Sequence, residues 1–175
     1  MNKLKIAASA IYVTAVGTLL HFLYDLTGGS VLVAWFSGVN ESTFEHLKLF
    51  FWAEITLFVI EFVIMKRKKG ITENGFFSSR LQGMLLGMAF IVVFFYTYQG
   101  IIGRNIGFLN IIDFVIGAFL SEVWIETRRH TRKSFDELSL AAFGAIAILF
   151  LVFTFAPPHI GLFLDPVNGV YGINK

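Results

Sequence analysis

VNESTFEHLKLFF, residues 39–51, sets Asn40, Glu41, Ser42, Thr43, Glu45, His46 and Lys48 into nine positions, then runs into Leu49, Phe50 and Phe51. Ser42-Thr43-Phe44-Glu45 fits a capping box. The Ser42 hydroxyl would accept from the Glu45 amide, and the Glu45 carboxylate would reach back to the Ser42 amide. An acid in the first turn also suits the helix dipole. The stretch therefore reads as the polar start of a helix that enters an apolar environment. Capping does not account for His46 or Lys48. Each must either snorkel to the headgroups or face the interior of a bundle, because ionisable groups at membrane depth are costly.

The surrounding composition identifies that environment as lipid. The chain is 56% hydrophobic and only 15% charged, with 21 Phe in 175 residues, and its mean hydropathy is +0.72. Soluble domains are about 25% charged. The net charge of +2 gives no basis for nucleic-acid binding. The absence of cysteine excludes disulfides, cysteine-ligated zinc, iron–sulfur clusters and thiol nucleophiles.

A spanning helix needs about 20 mostly apolar residues. Five segments qualify, at about residues 4–27, 42–65, 80–102, 106–127 and 137–156. They predict an all-α, polytopic membrane helix bundle forming a single domain over residues 1–175. The first segment has a signal-peptide-like start but lacks a small-residue cleavage site, so it is expected to remain as a helix. Eleven of the fourteen Lys and Arg fall on one side: Lys3, Lys5, the cluster 66–69, Arg80, and the cluster Arg128, Arg129, Arg132, Lys133. Lys48, Arg104 and Lys175 fall on the other. This places the N-terminus inside and the C-terminus outside. The setting expected is a bacterial plasma (inner) membrane, with lipids as the immediate partners.

Two segments are not simple spans. GGSVLVAWFSG, residues 28–38, is too short to cross and should fold over the outer end as a cap. Pro157-Pro158 ends the fifth helix. The irregular tail beyond it should lie back on the outer face.

The remaining polar residues gather at the outer level. His21 and Asp25 share a face of the first helix. Tyr96 and Tyr98 close the third, Asn110 and Asp113 lie one to two turns into the fourth, and His159 follows the fifth. His130 sits among inner arginines as a loop residue. Glu54 lies near mid-membrane, and Glu122 and Glu126 near the inner end of the fourth span. The outer convergence points to a polar cavity open to the outside, with a hydrogen-bonded packing network as the structural alternative.

HFLYD at 21–25, residues 39–51, YTYQGIIG at 96–103 and PPHIGLFLDPVNGVYGI at 157–173 resemble a family of small bacterial integral membrane proteins of unknown function. The resemblance covers nearly the whole chain. It implies a five- or six-helix membrane domain and no particular reaction. It points to His21, Asp25, Asn40, Glu41, Ser42, Glu45, His46, Lys48, Asp165 and Tyr171. Gly161 stands where the pattern leads one to expect proline.

Three function classes follow. One is a metal-dependent intramembrane enzyme acting on a lipid or lipid-linked substrate. His21, Asp25 and His46 would be ligands to a divalent transition metal such as zinc, and Asp113 or Glu45 the general base. Asn40, Glu41, Lys48, Tyr96, Tyr98 and Asn110 would bind substrate. The absence of an HExxH pattern counts against this class. A second is a transporter or channel for a small solute, ion or proton, using Asp113, Glu54 and His21; a homodimer would compensate for the low span count. A third is a scaffold or accessory subunit with a partner on the outer face. Haem ligation by His21 and His46 is a minor further reading.

Overall fold

The computed structural model describes residues 1–69, 75–128 and 135–173. Arg129, His130, Arg132, Lys133 and Lys175, all used in the sequence reading, lie outside the described residues. The described chain forms five α-helices: α1 (Lys3–Leu26), α2 (Thr43–Lys69), α3 (Phe76–Ile102), α4 (Gly107–Arg128) and α5 (Asp136–Phe155). Each coincides with one of the five expected spans. The chain is thus a multi-pass membrane helix bundle.

The helix boundaries have local causes. Asn2 caps α1 through its side chain, which accepts from the Lys5 amide at 3.1 Å. Asp136, in the first turn of α5, accepts from the amides of Gly75 and Ser78 at 2.9 Å each. Its charge therefore sits at the positive end of α3. α3 ends at Gly103, whose positive φ of 76° turns the chain while its amide donates back to Gln99.

α1, α3, α4 and α5 are long and apolar enough to cross a membrane. α2 is as long as α3 but carries Glu45, Lys48, Glu54 and Glu61 along its span. The fold accommodates these charges by turning three of them, Glu45, Lys48 and Glu54, into the bundle, where they are buried. The first half of α2 is therefore internal, whereas Val59, Ile60, Val63 and Ile64 in its second half are exposed. α3 and α4 approach closely at Gly83 and at Gly87; at Gly87 a Cβ would come within 2.8 Å of the Gly117 carbonyl oxygen and 2.5 Å of the Phe50 ring. Small residues at helix contacts are what membrane packing favours.

The outer end is closed by the two non-spanning segments. In the cap, a 3-10 turn at Val33–Trp35 buries Ala34. The Ser37 hydroxyl donates to the Leu20 carbonyl and accepts from the Tyr24 amide. The tail folds back so that Phe163 packs on Phe44 and Phe153, with ring centroids 4.5 and 5.4 Å away. Leu164 and Tyr171 pair across a single antiparallel bridge.

Candidate functional site

α2 begins at Thr43, and Ser42 caps it by accepting from the Glu45 amide at 3.3 Å. The second half of the expected box differs. The Ser42 amide donates to Asn40 Oδ1 at 2.9 Å, and the Glu45 carboxylate reaches past Ser42 to the Val39 amide at 3.0 Å. The Ser42 amide is already taken by Asn40, and the same Glu45 oxygen that accepts from Val39 pairs with Lys48 at 2.6 Å.

Lys48 is 0% exposed and Glu45 1%. The three protons of the Lys48 ammonium match three acceptors: Glu45, the Ala34 carbonyl at 2.9 Å and Thr154 Oγ1 at 2.9 Å. Lys48 does not snorkel. It ties α2 to the cap and to the end of α5. A buried ion pair is tolerated in this form, with its remaining hydrogen-bonding capacity filled.

The next face of α2 is arranged differently. His46 faces His21 of α1 across stacked rings, with centroids 5.6 Å apart and planes inclined 29°. Between them lies Glu41, from the loop before α2. Its two oxygens are 3.4 Å from His21 Nε2 and 3.7 Å from His46 Nε2. One ligand atom from each of the three residues falls within 4.8 Å of the others. His46 Nδ1 lies 3.0 Å from the Ser42 carbonyl. A carbonyl only accepts, so Nδ1 carries a proton, and Nε2 is the nitrogen that faces Glu41. The His21 hydrogen bond, foremost, and the charges of the two imidazoles hold the Glu41 carboxyl below the usual carboxylate range, against the opposing effect of burial.

The cluster borders a cavity of about 420 Å³ between α1 and α4. Thr14, Gly17, Thr18 and His21 form one face of α1 toward it; Ile111 and Phe114 of α4 and Leu49 of α2 supply much of the apolar wall. Gly17 lets the Phe114 ring lie against α1 here, since a Cβ would stand 2.5 Å from it. A second cavity of about 10 Å³, room for one water, adjoins it and is lined by His46, Asn110 and Asp113 among others. Asp113 is 2% exposed, and its Oδ1 has no hydrogen-bond partner among the described residues.

Asp25 is exposed at the top of α1 and lies outside the three-residue cluster. Asn40 donates to the Gly172 carbonyl at 2.8 Å and so anchors the tail. Tyr96 is exposed. The buried Tyr98 hydroxyl meets the side chains of Asn105 and Asn110, a polar knot that joins α3 to α4. Asn110 also lines the main cavity. His159 stacks on Tyr171 at 4.5 Å. Asp165 organises the tail turn. Burial raises its pKa, but the Val167 and Asn168 amides and the Asn168 side chain outweigh this and hold it below the usual range.

The chain matches a family model over residues 2–173, described as a family of unknown function, DUF6512. The chain belongs to DUF6512. No curated protein and no solved structure matches it. Membership in DUF6512 thus carries no reaction, and the chemistry must be argued from the site.

Glu41 as the third member of the histidine cluster is the placement that spacing alone did not indicate. It sits in a loop, 20 residues from His21 and five from His46, so no helical periodicity links them. One signal was available. Thr14, Gly17, Thr18 and His21 follow the i, i+3, i+4, i+7 pattern of a single helix face.

Proposed function

We propose that His21, Glu41 and His46 bind a divalent transition metal, zinc foremost, and that this DUF6512 protein is a metal-dependent membrane enzyme. Its substrate would be a lipid or lipid-linked molecule of the outer leaflet of a bacterial inner membrane. The observation that supports this most is the convergence of two imidazoles and one carboxylate from three chain segments on one edge of a cavity.

The donor set suits zinc. Catalytic sites use three protein ligands and keep one position open. With bonds near 2.05 Å, ligand atoms on a tetrahedron lie about 3.3 Å apart; the 3.4 and 3.7 Å separations are to different Glu41 oxygens, and one ligand atom from each residue falls within 4.8 Å of the others, so the side chains would draw in around an ion. The Ser42 carbonyl supplies the outer support that metal-binding imidazoles usually have. A bound zinc would supply a Lewis acid and an activated water. The chain's own residues would do the rest. Asp113 is the better-placed acid–base group, because it borders His46 and keeps a free oxygen, whereas Glu45 is consumed by Lys48. The apolar walls from α1 and α4 suit an acyl or isoprenoid chain, with its headgroup at the cluster.

Transport has less support. Asp113 and Ser121, the partner of Glu54, lie eight residues apart on α4, about 12 Å. The interval is filled by Gly117 packed against Gly87 and Ile91, with Phe50 beside Gly87.

The test is to reconstitute zinc-loaded protein with bacterial lipid extract and follow the lipids by mass spectrometry. A product formed by the wild type, and lost in Asp113→Asn and His46→Ala variants that still insert, is expected. No lipid conversion by protein with bound zinc would remove the enzyme reading while leaving the metal site.

A further inference from the structure

A second polar centre lies deeper in the bundle, toward the end that holds the N-terminus. Arg80, one turn into α3, is 2% exposed. Its guanidinium hydrogen-bonds Glu61 of α2 and Glu122 of α4, with nitrogen–oxygen distances of 2.5 and 3.0 Å. The inner cluster of topological charges at the start of α3 is therefore partly internal.

Glu54, one helical stripe above Glu61 on α2, is the third carboxylate at the same guanidinium. It is 3% exposed. Its Oε1 accepts from Ser121 Oγ at 2.7 Å. Its Oε2 lies 3.5 Å from Arg80 Nη1, which is already given to Glu122, and it has no hydrogen-bond partner among the described residues. Three carboxylates around one buried guanidinium leave two negative charges uncompensated by it, and Lys5, 3.0 Å from Glu61, offsets one of them. A bare carboxylate in this setting is strongly disfavoured, and carboxylates that share a site cannot all ionise readily.

From this geometry we infer that Glu54 is a buried proton-binding site, with the proton on Oε2. A metal cation at that oxygen would stand next to the positive guanidinium, and one hydroxyl-bonded oxygen is a poor cage for it. A proton removes the charge in place and turns Oε2 into a donor. The groups facing the site are Arg80 from α3, Glu122 and Ser121 from α4 and Glu61 from α2. Lys5 of α1 touches Glu61 at 3.0 Å and Glu126 at 3.9 Å. Lys5 and Glu126 are partly exposed at the inner end. They give the proton a route to water on that side along the carboxylates Glu61 and Glu122, which the permanently charged Arg80 holds beside one another. The inference is independent of any metal at the outer cluster.

Infrared spectroscopy of the full-length protein in lipid nanodiscs tests it. Wild type at neutral pH should show a carboxylic-acid carbonyl band that shifts in deuterium oxide. Glu54→Gln, which mimics the protonated acid, should lose the band and keep the thermal stability of the wild type. Ser121→Ala should shift the same band by removing the bond to Oε1, so the assignment holds even if the first variant folds poorly. Asp113→Asn should leave it in place. A carboxylic-acid signal unchanged in both Glu54→Gln and Ser121→Ala would overturn the proton site. A Glu54 band that does not respond to deuterium oxide would overturn the inner access route.

Discussion

Glu45 and His46 are consecutive residues on α2, and the helix turns them into opposite situations. Glu45 meets Lys48, and the pair is saturated: three acceptors for the ammonium and almost no exposed surface. His46 meets His21 and Glu41, whose separations of 3.4 and 3.7 Å exceed those of good hydrogen bonds, at the edge of a 420 Å³ cavity. Both groups are ionisable and lie at the same depth. A polar group whose valences are all filled by the fold is holding the fold together. A polar group whose lone pairs converge on shared space is arranged for something that is not part of the chain.

The contrast can be broken at the saturated side first. Lys48→Ala strands Glu45 without its partner and should cost about 3–5 kcal/mol, seen as a large drop in thermal unfolding temperature in detergent. The double variant Glu45→Gln, Lys48→Met should recover much of that loss. If Lys48→Ala were as stable as the wild type, the pair would not be the fastener described.

A smaller effect is expected where the helices touch. Gly87→Ala places a methyl against the Gly117 carbonyl and the Phe50 ring and should cost about 1–3 kcal/mol by overpacking, again read by thermal unfolding. Ser42→Ala removes the cap of α2 and should cost about 1 kcal/mol. A loss of metal binding in that variant at normal expression would mean that Ser42 does more than cap.

At the unsaturated side the stability effect should be smallest and the functional effect complete. His46→Ala gives up one hydrogen bond to the Ser42 carbonyl, a net cost of about 1 kcal/mol or less. Zinc titration should nevertheless find no site. If His46→Ala unfolds as Lys48→Ala does, the histidine cluster is a packing network like its neighbour.

The spans were legible because lipid selects on a signal written in consecutive residues, and all five segments became helices. The side chosen for Lys and Arg was legible for the same reason. The interior was less so. α2 read as a span interrupted by charge, and only packing reveals that Glu45, Lys48 and Glu54 point into the bundle. Arg80 read as a flanking charge, because its partners Glu54, Glu61 and Glu122 are 19 to 42 residues away and no local pattern connects them. His21 and His46 were legible as outer-level residues. Glu41 between them was not, because a loop position has no periodicity that aims it.

The most direct measurement is the metal content of protein purified without chelators, by inductively coupled plasma mass spectrometry, for wild type, His21→Ala, Glu41→Gln and His46→Ala. The expected result is about one zinc or other transition metal per wild-type chain and a loss in all three variants that keep their fold. No metal in the wild type, before or after dialysis against zinc, would contradict the proposed site and leave the cluster as a hydrogen-bonded junction between α1 and α2.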